Sequence, residues 1–232
     1  MKTAGVIGGM GPAATVDFIS KVIAFTDAKC DQDHVPLIVD HKPGVPNRQN
    51  AILLGTEKPS AAISQMGQRL QSAGADFLVM PCNSAHAFVG ELEAKITIPL
   101  MSIVDATVGE CNGVETVGLL ATNGCLATRG YQNALSRRGI ATVEPVGMEL
   151  EELMCLITAV KSGERGAAIR VRLSDIANKL LDRGAEAIIA GCTEIPLVLD
   201  AVSLGTPVIS STDTLARITV SKCGGRLRVA ST

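Results

Sequence analysis

Two cysteines in near-duplicate surroundings are the residues of this sequence best suited to chemistry. Cys82 stands in Met80-Pro81-Cys82-Asn83-Ser84-Ala85-His86, and Cys192 in Ala190-Gly191-Cys192-Thr193-Glu194-Ile195-Pro196. Each follows a short apolar run, preceded by Gly74-Ala75-Asp76 in the first case and Gly184-Ala185-Glu186 in the second. That pattern is a helix C-cap, a buried strand and a thiol at the strand's carboxyl end. An unperturbed thiol titrates near ~8.5, and a helix N-terminus or a neighbouring cation lowers that value, so such a position supplies thiolate near neutral pH. A thiolate serves as a base as well as a nucleophile. Two of them flanking one carbon could remove a proton from one face and return one to the other, which is stereoinversion without a cofactor.

The elements that must hold these thiols are themselves repeated. Cys82 to Cys192 is the same interval as Gly74 to Gly184, so the two halves align there without a gap. Gly5-Val6-Ile7-Gly8-Gly9-Met10-Gly11 pairs in a similar way with Gly118-Leu119-Leu120-Ala121-Thr122-Asn123-Gly124, and an internal duplication follows. In the first half the pattern predicts strands over 3–7, 35–40, 76–80 and 98–103, with helices over 13–26, 60–72 and 88–95. The polar stretch 41–49, with two prolines and a glycine, reads as a loop. In the second half it predicts strands over 116–120, 142–145, 187–190 and 207–210. A loop spans 121–125, and helices run from there to Gly139 and over 148–161, 165–183 and 212–222. Alternating strands and helices imply an α/β fold with parallel sheets flanked by helices. Two similar domains are expected, 1–103 carrying Cys82 and 104–210 carrying Cys192, with a crossover near 102–109 and the C-terminal helix, 211–232, returning to the first. Ligands in open α/β sheets bind beyond the strand carboxyl ends. The active site is therefore expected between the domains. The Gly8–Gly11 turn, taken alone, is a weak signal for an anion held by backbone N–H groups.

Bulk properties narrow the partner. The 232 residues are 47% hydrophobic and 19% charged, with a formal net charge of -2. That is ample core material, and without a basic cluster nothing offers the phosphate-neutralising stripe of a nucleic-acid binder. No apolar run reaches membrane-spanning length. The start leads directly into a strand, not through a signal-peptide apolar region, so a cytoplasmic location is expected. Seven cysteines, widely spread and without a C-x-x-C pair, argue against disulfides and a zinc cage. A small-molecule partner is expected.

The chain resembles the aspartate/glutamate racemase superfamily, most closely its cofactor-independent aspartate racemases, over nearly its whole length. The resemblance is carried by Ile7-Gly8-Gly9-Met10-Gly11-Pro12, Pro46-Asn47-Arg48, the Cys82 motif, Gly118-Leu119-Leu120-Ala121-Thr122, Val160-Lys161-Ser162-Gly163 and the Cys192 motif. It implies that Cys82 and Cys192 are the acid/base pair and that Arg48 and Lys161 bind the carboxylates of a dicarboxylic amino acid. It further implies that Asn83, Ser84 and Thr193 line the site, with Met10 giving a backbone contact and Thr122 and Glu194 belonging to the substrate-binding set. No metal, no cofactor and a homodimer are the corresponding expectations. Cys125 departs from the family, which more often has threonine there, and leaves a spare thiol near the site. Ser210 stands where aspartate is common.

Plainer roles exist for several of these residues. Cys30, Cys111, Cys155 and Cys223 read as small buried hydrophobes. Arg48 could be a solvated loop arginine and Lys161 a helix C-terminal cation favoured by the macrodipole. His86 reads as a capping or orienting residue more than as a base, and Glu194 either orients its neighbours or caps. Competing functions within the superfamily are racemases of glutamate or of several amino acids, maleate isomerases, and arylmalonate decarboxylases with one catalytic cysteine, which the pair disfavours. The basic residues favour a dicarboxylic amino acid over a hydantoin or an aryl acid. A different class is a non-catalytic dicarboxylate-binding or redox-sensing protein, whose thiols would lie close enough for a disulfide.

Overall fold

The computed structural model describes residues 1–229. In chain order the first half runs β1 (Ala4–Gly8), α1 (Pro12–Phe25), β2 (Leu37–His41), α2 (Arg48–Leu54), α3 (Ser60–Ser72), β3 (Phe77–Val79), α4 (Val89–Glu93), β4 (Leu100–Met101) and α5 (Ile103–Gly109). The second runs β5 (Thr116–Leu120), α6 (Asn123–Ala127), α7 (Gly130–Ser136), β6 (Ala141–Val143), α8 (Met148–Lys161), α9 (Ala167–Asp182), β7 (Ala187–Ala190), α10 (Ala201–Leu204), β8 (Val208–Ser210) and α11 (Ser211–Cys223).

The strands form two four-stranded parallel sheets of the same order, β2-β1-β3-β4 and β6-β5-β7-β8. The duplication read in the sequence is thus a duplication of topology. The central strands are covered on both faces, which is why β1 and β7 are apolar or small throughout and wholly buried. In each half a helix ends in a glycine with positive φ, Gly74 at 97° and Gly184 at 96°, immediately before the strand that leads to a cysteine. Glycine alone takes that backbone turn at no steric cost.

α5 joins the halves. Ile103 packs with Ala4, Phe18 and Phe77 of the first, and Val108 with Val117, Leu119 and Tyr131 of the second. α11 returns to the first sheet, where Leu215, Ala216 and Val220 pack with Ala4, Val6 and Phe18. Arg217 of α11 lies 4.1 Å from the Phe25 ring centroid, and beyond the helix Thr26 and Leu227 form a β-bridge. Helix α11 ends at Cys223, and residues 230–232 of the segment expected to rejoin the first domain lie outside the described residues. No helix among the described residues is long and apolar enough to cross a membrane.

Several elements differ from expectation, each for a local reason. The loop expected over 41–49 gives way to α2 at Arg48, because the Asn47 side chain caps that helix by accepting from the Gln49 and Asn50 backbone N–H groups. The strand expected over 98–103 is only β4, because Ser102 caps α5 by accepting from Asp105 N–H. The helix expected to run unbroken to Gly139 is split into α6 and α7 by Arg129, whose φ of 55° is left-handed. The helix expected over 88–95 shrinks to α4, preceded by a tighter 3-10 turn over Ser84–Phe88. Cys30 and Cys155 are exposed rather than buried, Cys30 before a surface turn and Cys155 on the outer face of α8, whereas Cys111 and Cys223 are buried as expected.

Candidate active site

Residues past the carboxyl ends of β1, β2, β3, β5 and β7, together with one side of α8, converge on one cavity of ≈ 340 Å³, within the small-molecule range. From the first half come Met10, Arg48, Cys82, Asn83 and Ser84; from the second come Thr122, Lys161, Cys192, Thr193 and Glu194. All ten residues singled out in the sequence therefore line the same space. The two thiols are nearly buried, Cys82 at 7% and Cys192 at 6% exposure, yet both face it.

Cys82 follows β3 on a short turn in which its N–H donates to the Met80 carbonyl. His86 fixes that turn. Its Nε2 accepts from the Ile103 backbone N–H at 3.3 Å, so the ring proton sits on Nδ1 and donates to the Cys82 carbonyl at 2.9 Å. Burial pushes the imidazole's pKa down and keeps it neutral. His86 is thus an orienting residue, as the sequence suggested. Asn83 is held just as firmly, donating to Ser211 Oγ at 3.1 Å and accepting from Tyr131 Oη at 2.7 Å.

Around Cys192 the dominant neighbour is Glu194, itself only 4% exposed. Its Oε2 accepts from Cys192 Sγ at 3.0 Å and from Thr193 Oγ1 at 3.3 Å, while its Oε1 lies 3.9 Å from Lys161 Nζ. Burial pushes the Cys192 thiol's pKa well up, and the Glu194 charge pushes it further; the Lys161 cation opposes both. For Lys161 burial pulls the ammonium down, but the negative groups Glu194, Cys192 and Cys82 outweigh it and leave the net direction upward. Lys161 stays a cation.

Helix α8 presents Lys161 because its buried stripe, Leu153, Leu156, Ile157 and Val160, fixes its roll against the second sheet. One flank of that stripe, Met154, Ile157, Thr158 and Lys161, lines the cavity. Arg48 opens α2, and its Nη1 donates to the Val45 and Pro46 carbonyls at 3.1 and 2.9 Å. Its Nε and Nη2 have no protein partner among the described residues. The guanidinium is therefore anchored at one corner with the rest of its fork available.

In the Gly8–Gly11 turn the Gly9 N–H is already taken by Thr15 Oγ1 at 2.9 Å, so that group is not offered to a ligand. Cys125 faces a neighbouring cavity behind Asn83, shared with Tyr131 and His86, and burial pushes its thiol up to about 12. Ser210 caps α11 by accepting from Asp213 N–H. Sequence reasoning missed Gln49, Asn47, Asn50, Met154, Ile157 and Thr158, all of which line the cavity. Stepping back by three, four and seven from Lys161 along a helix would have found the last three. No group of three or more His, Cys, Asp or Glu side chains able to hold a metal ion occurs among the described residues.

Comparison with known proteins sets the class. The chain is similar to Picrophilus torridus aspartate racemase, with a TM-score of 0.90 and 33% identity over 98% of this chain and 96% of that one. It is 27% identical over 222 residues to the broad specificity amino-acid racemase RacX of Bacillus subtilis (strain 168), covering 94% of this chain and 96% of the relative. Glutamate racemase from Francisella tularensis subsp. tularensis SCHU S4 shares the fold, with a TM-score of 0.66 at 16% identity, covering 95% of this chain and 80% of that one. These place the protein among the isomerases of the racemase superfamily. A family model described as Asp/Glu/Hydantoin racemase matches residues 7–219, and the chain belongs to that family as an amino-acid racemase.

Proposed function

We propose that the protein interconverts L- and D-aspartate by a two-thiol acid/base mechanism that needs no cofactor. The observation that carries this reading is the pairing of Arg48 and Lys161, one from each half, around a cavity that both cysteines face. A dicarboxylic amino acid has two carboxylates to match two cations, and arginine suits bidentate pairing. The similarity to the Picrophilus aspartate racemase points the same way.

In this reading one thiolate takes the α-proton while the opposite thiol delivers a proton to the other face. The negative charge that develops on the substrate is met by the two cations, Arg48 and Lys161. Cys192, buried against the Glu194 carboxylate, is the member held as thiol in the free enzyme. The reverse reaction exchanges the roles, so the protein alternates between two protonation states that differ by which thiol holds the proton.

A second reading, turnover of glutamate or of several amino acids, is favoured by the full-length similarity to the broad-specificity racemase and by the apolar Met154 and Ile157 in the wall. Chiral analysis of L-aspartate, L-glutamate and L-alanine incubated with protein freed of metal and pyridoxal separates the two. Preferential appearance of D-aspartate supports the first. Comparable racemisation of all three supports the second, and a requirement for added metal or pyridoxal contradicts the two-thiol scheme.

A further inference from the structure

Gln49 is a side chain of the first half that reaches across the cavity to the second. Its Oε1 accepts from the Gly124 backbone N–H at 2.7 Å, and its Nε2 donates to Ser84 Oγ at 2.9 Å and to Thr122 Oγ1 at 2.8 Å. A Cβ at Gly124 would run into the Gln49 amide and push it out of this position. The Gly124 N–H is shared with Asn123 Oδ1 at 2.9 Å, but turning the Gln49 amide over would set its NH₂ against that N–H, so the amide oxygen stays on Gly124 and the NH₂ faces the two hydroxyls.

That orientation fixes where the hydroxyl protons go. A hydroxyl has one proton and two acceptor lone pairs. Thr122 Oγ1 accepts from Gln49 Nε2 and, as the cap of α6, from Cys125 N–H at 3.3 Å. Both lone pairs are then used, so in the 3.2 Å contact with Ser84 Oγ it is Thr122 that donates. Ser84 Oγ now accepts from Gln49 and from Thr122, and its own proton has no acceptor among the described residues. Ser84 lines the cavity. The chain of donation therefore runs from Gly124 through Gln49 and Thr122 to Ser84 and ends in the cavity.

We infer that Gln49 is a positioning residue that sets Ser84 as an obligate donor to a substrate carboxylate oxygen. The inference rests on the placement of substrate in this cavity but not on the identity of its side chain, because every amino acid carries an α-carboxylate. Its test accordingly uses whichever of aspartate, glutamate and alanine the wild-type enzyme racemises fastest, so that failure of the aspartate reading leaves it intact.

The experiment is a double-mutant cycle of Gln49→Met, which keeps volume but removes the amide, with Ser84→Ala. A hydrogen bond to a charged carboxylate made equally in ground and transition states appears in KM rather than kcat. Each single variant should raise KM by about tenfold or more and hold kcat within about threefold. The double variant should be no worse than Ser84→Ala alone, since Gln49 acts through Ser84. If Gln49→Met does not fold, Gln49→Asn, one methylene too short to reach Gly124, is read in the same cycle. A fall in kcat at unchanged KM, or penalties that add in the double variant, would mean that Gln49 merely holds the halves together and would overturn the inference.

Discussion

The thiol of Cys192 donates to a carboxylate oxygen of Glu194 at 3.0 Å, and both groups are buried. Burial first, and then a negative charge at that distance, oppose ionisation of the thiol, so Glu194 helps to keep Cys192 in the form that can give a proton. The pH profile of kcat/KM for the free enzyme should fall on its alkaline side where this acid is lost. Replacing Glu194 by Gln removes the charge but keeps the shape. The Cys192 pKa, raised in the native site, should then drop, and Lys161, which Glu194 also raises, should move the same way. The alkaline limb of kcat/KM is expected to shift to lower pH in E194Q. An unmoved limb would show that Glu194 does not set the acid.

Arg48 should not tolerate lysine. Its Nη1 is committed to the Val45 and Pro46 carbonyls, and the remaining fork is what faces substrate. An ammonium cannot do both. Steady-state kinetics with aspartate should show kcat/KM reduced at least about thirtyfold in Arg48→Lys and in Lys161→Ala, the range for leaving one buried charge unpaired. Near-normal efficiency in either would remove that residue from the carboxylate clamp.

His86 makes stability depend on acid. Its folded pKa lies below the ordinary 6.5 because of burial, so the unfolded chain binds the proton more readily. Stability should be full above about pH 6.5 and should decline as pH falls from there toward the folded pKa. In His86→Gln this part of the decline should vanish. Thermal midpoints measured from pH 7.5 to pH 5 check it; parallel curves for the two proteins would contradict the buried neutral imidazole.

The cysteines were legible in the sequence because local physics marks them: a glycine that ends a helix, a short run that only a covered strand can use, and a thiol where the strand stops. Helices α3 and α8 and strands β5 and β7 were legible for the same reason, each being a pattern contained within its own residues. Gln49 was not legible. Its partners Ser84, Thr122 and Gly124 are 35, 73 and 75 residues away, and nothing in a local window distinguishes it from any polar loop residue. Helices α2 and α5 were missed although Asn47 and Ser102 are recognisable caps, because neighbouring prolines or apolar residues suggested loop or strand. Cys30 and Cys155 were misplaced because cysteine's preference for burial says nothing about which face of a particular helix or turn it occupies.

The central claim is that Cys82 and Cys192 act on opposite faces of one carbon. Replacing either by serine should abolish racemisation, since inversion needs a base and an acid. Proton abstraction alone needs only one base. With an aspartate analogue that carries a leaving group on its β-carbon, such as 3-chloroaspartate, the carbanion formed by the surviving thiolate can expel chloride and form the Cα–Cβ double bond before any proton arrives. Cys82→Ser and Cys192→Ser should therefore each still eliminate chloride from one enantiomer at the α-carbon, and the two should show opposite preferences. If both variants favour the same enantiomer, the opposed two-thiol geometry is wrong.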